Sequence, residues 1–303
     1  MKELKKIVFI GLLPFFLGCN DFLEEEALDT FTSLNFPQTV EDAEALVNEA
    51  YRLAGAHYAS FNYPDVVLYP TEFATTRRQG SGDVRAQLDN YEVNNANSRL
   101  ASAWNGAYGV IRQANIAIGA AEGIGDDDPD KATYDRLAAE ARVIRAYTYY
   151  DLLVIFGSVP LIIERLETLE DAERPVSPIA EIYDAIINDL TVAEPLLPHD
   201  YEDNSLGRVT RGAARALLGN VHLQRAMDPA NVAQGTDLDN AVTWLRRVVD
   251  AADGGKAYTL EPEYENLFGL DNVSNNIKFS NEIIFQFWRD INACCRNAYY
   301  ANS

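Results

Sequence analysis

The chain has 303 residues, with 25 Lys and Arg against 46 Asp and Glu, and a formal net charge of −21 at pH 7. That length holds one large domain or two ordinary ones. The acidity opposes sequence-independent contact with a phosphate backbone, which needs clustered cations, so nucleic acid is excluded as an expected partner and a solvated surface or a neutral ligand fits.

Lys2, Lys5 and Lys6 precede an apolar run over 7–17 that ends in Gly18-Cys19. A basic start, an apolar middle and a small residue at the cleavage point make residues 1–18 a secretory signal. The run is too short to span a bilayer comfortably. A cysteine directly after the small residue resembles the bacterial lipoprotein signal, which implies a lipid on Cys19 and attachment to the membrane through it. Residues 19–36, with Glu24, Glu25 and Glu26, then read as a lipidated acidic tether.

The first helix opens on Thr39, with Asp42 at capping-box spacing, and carries Ala43, Leu46, Val47, Ala50, Tyr51 and Ala54 on one face before an end near Gly55. From there to about Arg99 the chain is rich in Asn, Gly, Ser, Asp and Arg, with Pro64, Pro70, Gly80 and Gly82 as breakers. An irregular excursion of that length is usually functional or disordered. A second helix begins around Ser98, and its Trp104, Tyr108, Ile111, Asn115 and Ile118 form a packing seam, with the Trp and Tyr read as core. The segment 123–130, GIGDDDPD, lacks the alternating oxygen ligands and closing Glu of a calcium loop, so no metal is expected there.

The stretch 140–162, EARVIRAYTYYDLLVIFGSVPLI, is apolar on more than one face. Leu137, Ala141, Ile144, Thr148, Leu152 and Ile155 follow one 3.6-residue stripe, and Val143, Tyr147, Tyr150 and Val154 follow another, which predicts a helix clasped on two sides. Gly157 supplies a left-handed stop and Pro160 blocks resumption. Ser177-Pro178 opens the next helix, with Ile182, Tyr183, Ile186, Ile187, Leu190 and Ala193 inward. Thr210 opens another, with Ala213, Ala214, Leu217, Leu218 and Val221. Asp237 opens a further one, with Leu238, Ala241, Leu245, Val248, Val249 and Ala252 inward. Residues 264–268 read as a short turn, and 281–287, NEIIFQF, as a strand. The fold class is mainly α, with antiparallel helix pairs of tetratricopeptide type, long irregular loops and a minor β element near the C-terminus. Cys294 and Cys295 are adjacent, a spacing that strains a disulfide, so free thiols, other pairings and a vicinal bridge all stay open.

Several of these segments resemble the SusD/RagB family of surface nutrient-binding lipoproteins. The run over 145–161 is similar to its R-A-Y-x-Y-x-D-L…F-G-x-V-P-L motif. Trp104, Tyr108, Ile111 and Asn115 resemble W-x3-Y-x2-I-x3-N; residues 207–218 resemble G-R-x-T-x-G-A-A-x-A-L-L; and 280–285 resembles S-x-E-I-I-F. The resemblance implies a receptor without catalysis or cofactor, which captures a nutrient, commonly an oligosaccharide, and serves as the lid of a SusC-type TonB-dependent outer-membrane transporter. It implies a helical N-terminal region over 37–227 and, because family members are usually much longer, the start of an incomplete C-terminal region over 228–303.

Sugar recognition needs aromatic faces for the ring and planar polar groups for paired hydroxyls. The excursion carries Tyr63, Tyr69 and Tyr91 as platforms, with Arg77, Arg78, Asp83, Arg85, Asn94 and Asn95 as hydrogen-bonding groups. The family resemblance places ligand contacts in this region but carries no single residue across. Trp288, Tyr299 and Tyr300 form a second aromatic group beside the two cysteines. A glycoside hydrolase and a lipid-anchored helical-repeat adaptor are the competing readings. His57, His199 and His222 lack metal-ligand spacing, and no nucleophile elbow or phosphate-binding Gly loop is present, which disfavours the enzyme.

Overall fold

The computed structural model describes residues 39–60, 62–77, 83–166, 168, 171, 173–201, 207–251, 255–263 and 282–287. The signal, Cys19, the tether, Arg78, the 264–268 turn, Trp288, Cys294, Cys295, Tyr299 and Tyr300 lie outside them. Eight α-helices occupy the described residues: α1 Val40–Ala59, α2 Asn62–Leu68, α3 Val84–Asp89, α4 Ser98–Glu122, α5 Lys131–Phe156, α6 Ile179–Ala193, α7 Arg211–Met227 and α8 Asp237–Val249. The fold is mainly helical and tetratricopeptide-like. Each long helix packs on the next, with α1 lying against both α4 and α5. No described helix is long and apolar enough to cross a membrane.

The caps explain most of the starts. Thr39 and Asp42 form the expected reciprocal box, each side chain accepting from the other's backbone N–H at 3.2 Å, and Thr210 accepts from Ala213 N at 3.3 Å. Asn97 caps α4 by accepting from the N–H groups of Arg99 and Leu100. At α6 the cap position falls on Pro178, one residue later than expected. Helix α1 does not stop at Gly55, which is buried inside it, and runs on to Ala59. Gly157 ends α5 at φ 70° and ψ −124°, a conformation open to glycine but outside the left-handed helical cap.

The core is built from the predicted stripes. Leu137, Ala141, Ile144 and Leu152 on α5 meet Val47 and Ala50 on α1, Val110 on α4, and Ile182, Tyr183 and Leu190 on α6 in one buried cluster. Burial of each large apolar side chain contributes about 1.5–3 kcal/mol. The second stripe of α5 fades outward, and Val154 at its end is exposed. On α8, Ala241 and Val248 are buried, but Leu238 (58%) and Val249 (71%) are exposed. Their helix rests on α7 along one narrow face, where a Cβ on Gly219 would come within 2.5 Å of Leu245 Cγ, and Ala252 lies outside the described residues.

Among the described residues there is no β-strand, and of the segment 281–287, where a strand is expected, the described residues 282–287 form none. A strand needs a partner edge, and this segment meets helix surface instead. Phe287 stacks on Tyr58 at 5.0 Å and packs edge-on to Tyr147 at 5.9 Å.

Candidate ligand-binding surface

The described residues between α1 and α4 are more regular than the composition of this stretch suggests. Pro64 falls in the first turn of α2, where its missing N–H has no partner to lose. Asp83 caps α3 by accepting from Arg85 N at 2.9 Å. Val66 and Leu88 bury against Ala103 of α4, with Tyr69, Leu100 and Ile155 around them. Asp65 receives Arg85 Nε at 2.8 Å and pairs with Arg99 Nε at 3.0 Å. The excursion therefore has its own small core and an ion-pair anchor centred on the buried Asp65.

Two further ties fix its outer part. Asp89 Oδ2 accepts from Thr75 Oγ1 at 2.8 Å and from Thr76 N at 3.0 Å. Tyr91 Oη donates to the Pro70 carbonyl. Phe73, between these anchor points, is 92% exposed, and Tyr91 is 76% exposed. Tyr91 also sits at φ 58°, a left-handed conformation that costs a bulky residue roughly 1–3 kcal/mol. Large aromatic residues outside the core, on a loop held by hydrogen bonds, are an arrangement suited to stacking on a flat ligand.

The predicted site residues divide by environment. Arg77, Tyr91, Asn94 and Asn95 are exposed on the excursion, and Asn94 Oδ1 accepts from Ala96 N at 2.9 Å. Tyr69 is half-buried in the small core, Asp83 is committed to its cap and Arg85 to Asp65. Tyr63 is half-buried in an aromatic cluster, with ring centroids 4.9 Å from Tyr58 and 5.2 Å from His57. Phe73 is not among the residues that the sequence singles out. Its signal is a large apolar residue placed after Pro70, which breaks the helical register that would carry it back to Tyr69.

Beneath the α1–α2 corner lies an unusual electrostatic environment. Burial pushes the Asp151 carboxyl up to about 6, against the opposing influence of the Tyr58 and Tyr63 hydroxyls. Burial also lowers His57 to about 4. Tyr58 is raised well above its ordinary value by burial and by the nearby Asp151 charge. These groups lie in the support of the excursion, while Phe73 and Tyr91 are on its surface.

A family model of SusD-like proteins, described as starch-binding and associating with the outer membrane, matches residues 21–223. The chain belongs to the SusD-like family. SusD-like protein P2 of Formosa agariphila is 29% identical over 271 residues, covering 89% of this chain and 50% of its own length. A laminarin-binding SusD-like protein of known structure superposes with a TM-score of 0.66 at 27% identity, covering 81% of this chain and 50% of that one. A second structure, solved with a xylogluco-oligosaccharide, has a TM-score of 0.62 at 27% identity, covering 80% of this chain and 45% of that one. The chain spans about half the length of the curated relatives it matches. SusD-like proteins are glycan-binding proteins, and the family is described as associated with the outer membrane.

Proposed function

We propose that this SusD-like chain captures an oligosaccharide on the excursion between α1 and α4, without catalysis, and acts as the lid partner of a SusC-type TonB-dependent transporter. Cys19 carries the lipid that holds it to the outer membrane, facing the cell exterior. Residues 37–227 form the helical support and 228–303 begin the C-terminal region. The observation that carries this reading is the pair of exposed aromatics, Phe73 and Tyr91, on a loop fixed by Asp89 and the Pro70 carbonyl. Arg77 and Asn95, exposed on the same excursion, supply polar groups for ring hydroxyls.

Titration calorimetry of the purified chain against laminari- and xylogluco-oligosaccharides tests the capture step. Phe73→Ala and Tyr91→Ala are each expected to weaken binding roughly tenfold, the loss of about 1.4 kcal/mol of stacking. Binding that neither substitution alters, or no binding to any glycan tried, overturns the reading. Copurification with a TonB-dependent barrel tests the lid role.

A further inference from the structure

A second concavity lies between α4 and the chain that follows Gly157. It encloses about 630 Å³ and is lined by Trp104, Tyr108 and Arg112 on one side and by Glu164, Arg165 and Leu166 on the other. Volumes of this size are usual for small-ligand sites. One wall is fixed in place: Tyr108 Oη donates to the Pro160 carbonyl at 2.7 Å, and Asn115 Nδ2 donates to the carbonyls of Ile162 and Glu164, each at 2.9 Å. Arg145 Nη1 donates to the Ile163 carbonyl at 2.6 Å. A wall ordered before binding spares the ligand that entropic cost.

The lining combines aromatic surface with an exposed guanidinium. Trp104 lies 5.0 Å from Tyr108 and 5.1 Å from Phe156 between ring centroids. Arg112 is exposed and makes no ion pair among the described residues, although the chain as a whole carries −21. The one carboxylate of the lining, Glu164, is engaged by Arg174 at 2.9 Å. A neutral sugar needs donors and acceptors in comparable number, whereas an unpaired cation beside an aromatic wall favours a ring that carries a carboxylate.

We propose that this cavity binds a uronic acid unit, with its ring against Trp104 and Tyr108 and its carboxylate on Arg112. The inference rests on the nutrient-binding reading for its choice of a sugar, and it uses none of the residues of the loop surface.

The test uses Trp104 as the reporter. Of the three tryptophans, Trp244→Phe and Trp288→Phe leave Trp104 alone, and its emission is followed during titration with trigalacturonate and with neutral galactotriose. A saturable change is expected with trigalacturonate, at least tenfold weaker for the neutral trimer and for Arg112→Gln, and weakened by salt. Arg112 is exposed, so its replacement leaves the helix packing intact. No saturable change, equal binding of the neutral trimer, or unaltered affinity in Arg112→Gln overturns the proposal. Phe73→Ala and Tyr91→Ala are expected to leave the Trp104 signal unchanged. If those two variants also keep full binding of neutral glycans by calorimetry, the loop reading fails while the cavity stands. Loss of the Trp104 response with loop binding intact sinks the cavity alone.

Discussion

Arg208 Nη1 donates to Glu140 Oε2 at 2.7 Å, joining the segment before α7 to the middle of α5. Glu140 is fully buried, and its carboxylate also accepts from Tyr51 Oη at 3.0 Å, Tyr201 Oη at 2.9 Å and Arg136. Arg208 reaches on to Asn48 at 2.7 Å and to Glu44, both on α1. Removing one partner of a buried ion pair leaves the other charged and undersolvated. Arg208→Met is therefore expected to cost about 3–5 kcal/mol. Denaturant unfolding measures this, and a loss well under 1 kcal/mol would show that the network is not stabilised as a unit.

His57 and Asp151 give opposite pH dependences over one range. His57 falls from an ordinary 6.5 to about 4 on folding, so the folded state binds fewer protons and stability drops as pH falls through that window. Asp151 rises from 3.8 to about 6, so the folded state binds more protons and stability drops as pH rises from 4 to 6. Relative to the unsubstituted chain, His57→Gln is expected to lose stability toward pH 6.5 and Asp151→Asn to gain it. Each effect is on the order of 2–3 kcal/mol across the window. Thermal melts at half-unit pH steps measure both, and parallel curves for the three proteins would contradict the assignment.

Gly219 sets how closely α7 and α8 approach. A Cβ there would meet Leu245 Cγ at 2.5 Å and Leu245 Cδ2 at 2.6 Å. Gly219→Val is expected to destabilise the chain by about 1–3 kcal/mol through overpacking. Chemical denaturation is the measurement, and a neutral or stabilising result would mean that the two helices separate without cost.

Tyr91 tests whether the exposed aromatic surface is functional. Its backbone at φ 58° suits glycine better than tyrosine. Tyr91→Gly is expected to leave stability within about 1 kcal/mol, because relief of strain offsets the lost bond to Pro70. Glycan affinity is expected to fall roughly tenfold in the same variant. Calorimetry beside a thermal melt separates the two effects, and intact affinity would remove Tyr91 from the binding surface.

The long helices were legible because their apolar residues recur at 3.6-residue spacing and their caps are local: the Thr39–Asp42 box and Thr210 need only neighbours in sequence. Helices α2 and α3, at 7 and 6 residues, are too short to show a period, and the stretch holding them read as irregular. Gly55 looked like a stop because nothing in the sequence shows that it is buried beneath other helices. Leu238 and Val249 belong to the apolar pattern of α8, yet pattern alone does not say how much of a stripe finds cover. At the candidate surface, composition picks out the excursion as a segment rich in aromatic and planar polar residues. It did not separate Tyr63, packed against Tyr58, from Tyr91, exposed in a strained turn. The charged cores were invisible for a related reason: Arg145 meets Asp189 across 44 positions, and Arg208 meets Glu140 across 68.

The buried carboxylate of Glu140 has a consequence for how the chain selects one arrangement among many. Its donors come from four places, Tyr51 on α1, Arg136 one turn earlier on α5, and Tyr201 and Arg208 ahead of α7. Alanine-rich helix surfaces such as these are tolerant, and sliding one past another by a turn would still bury methyl groups against methyl groups. Such a slip would carry Glu140 into the apolar interior without its donors, at a cost of several kcal/mol. The charge thus acts as a proofreading element for helix register, penalising near-miss packings that the apolar contacts alone would accept.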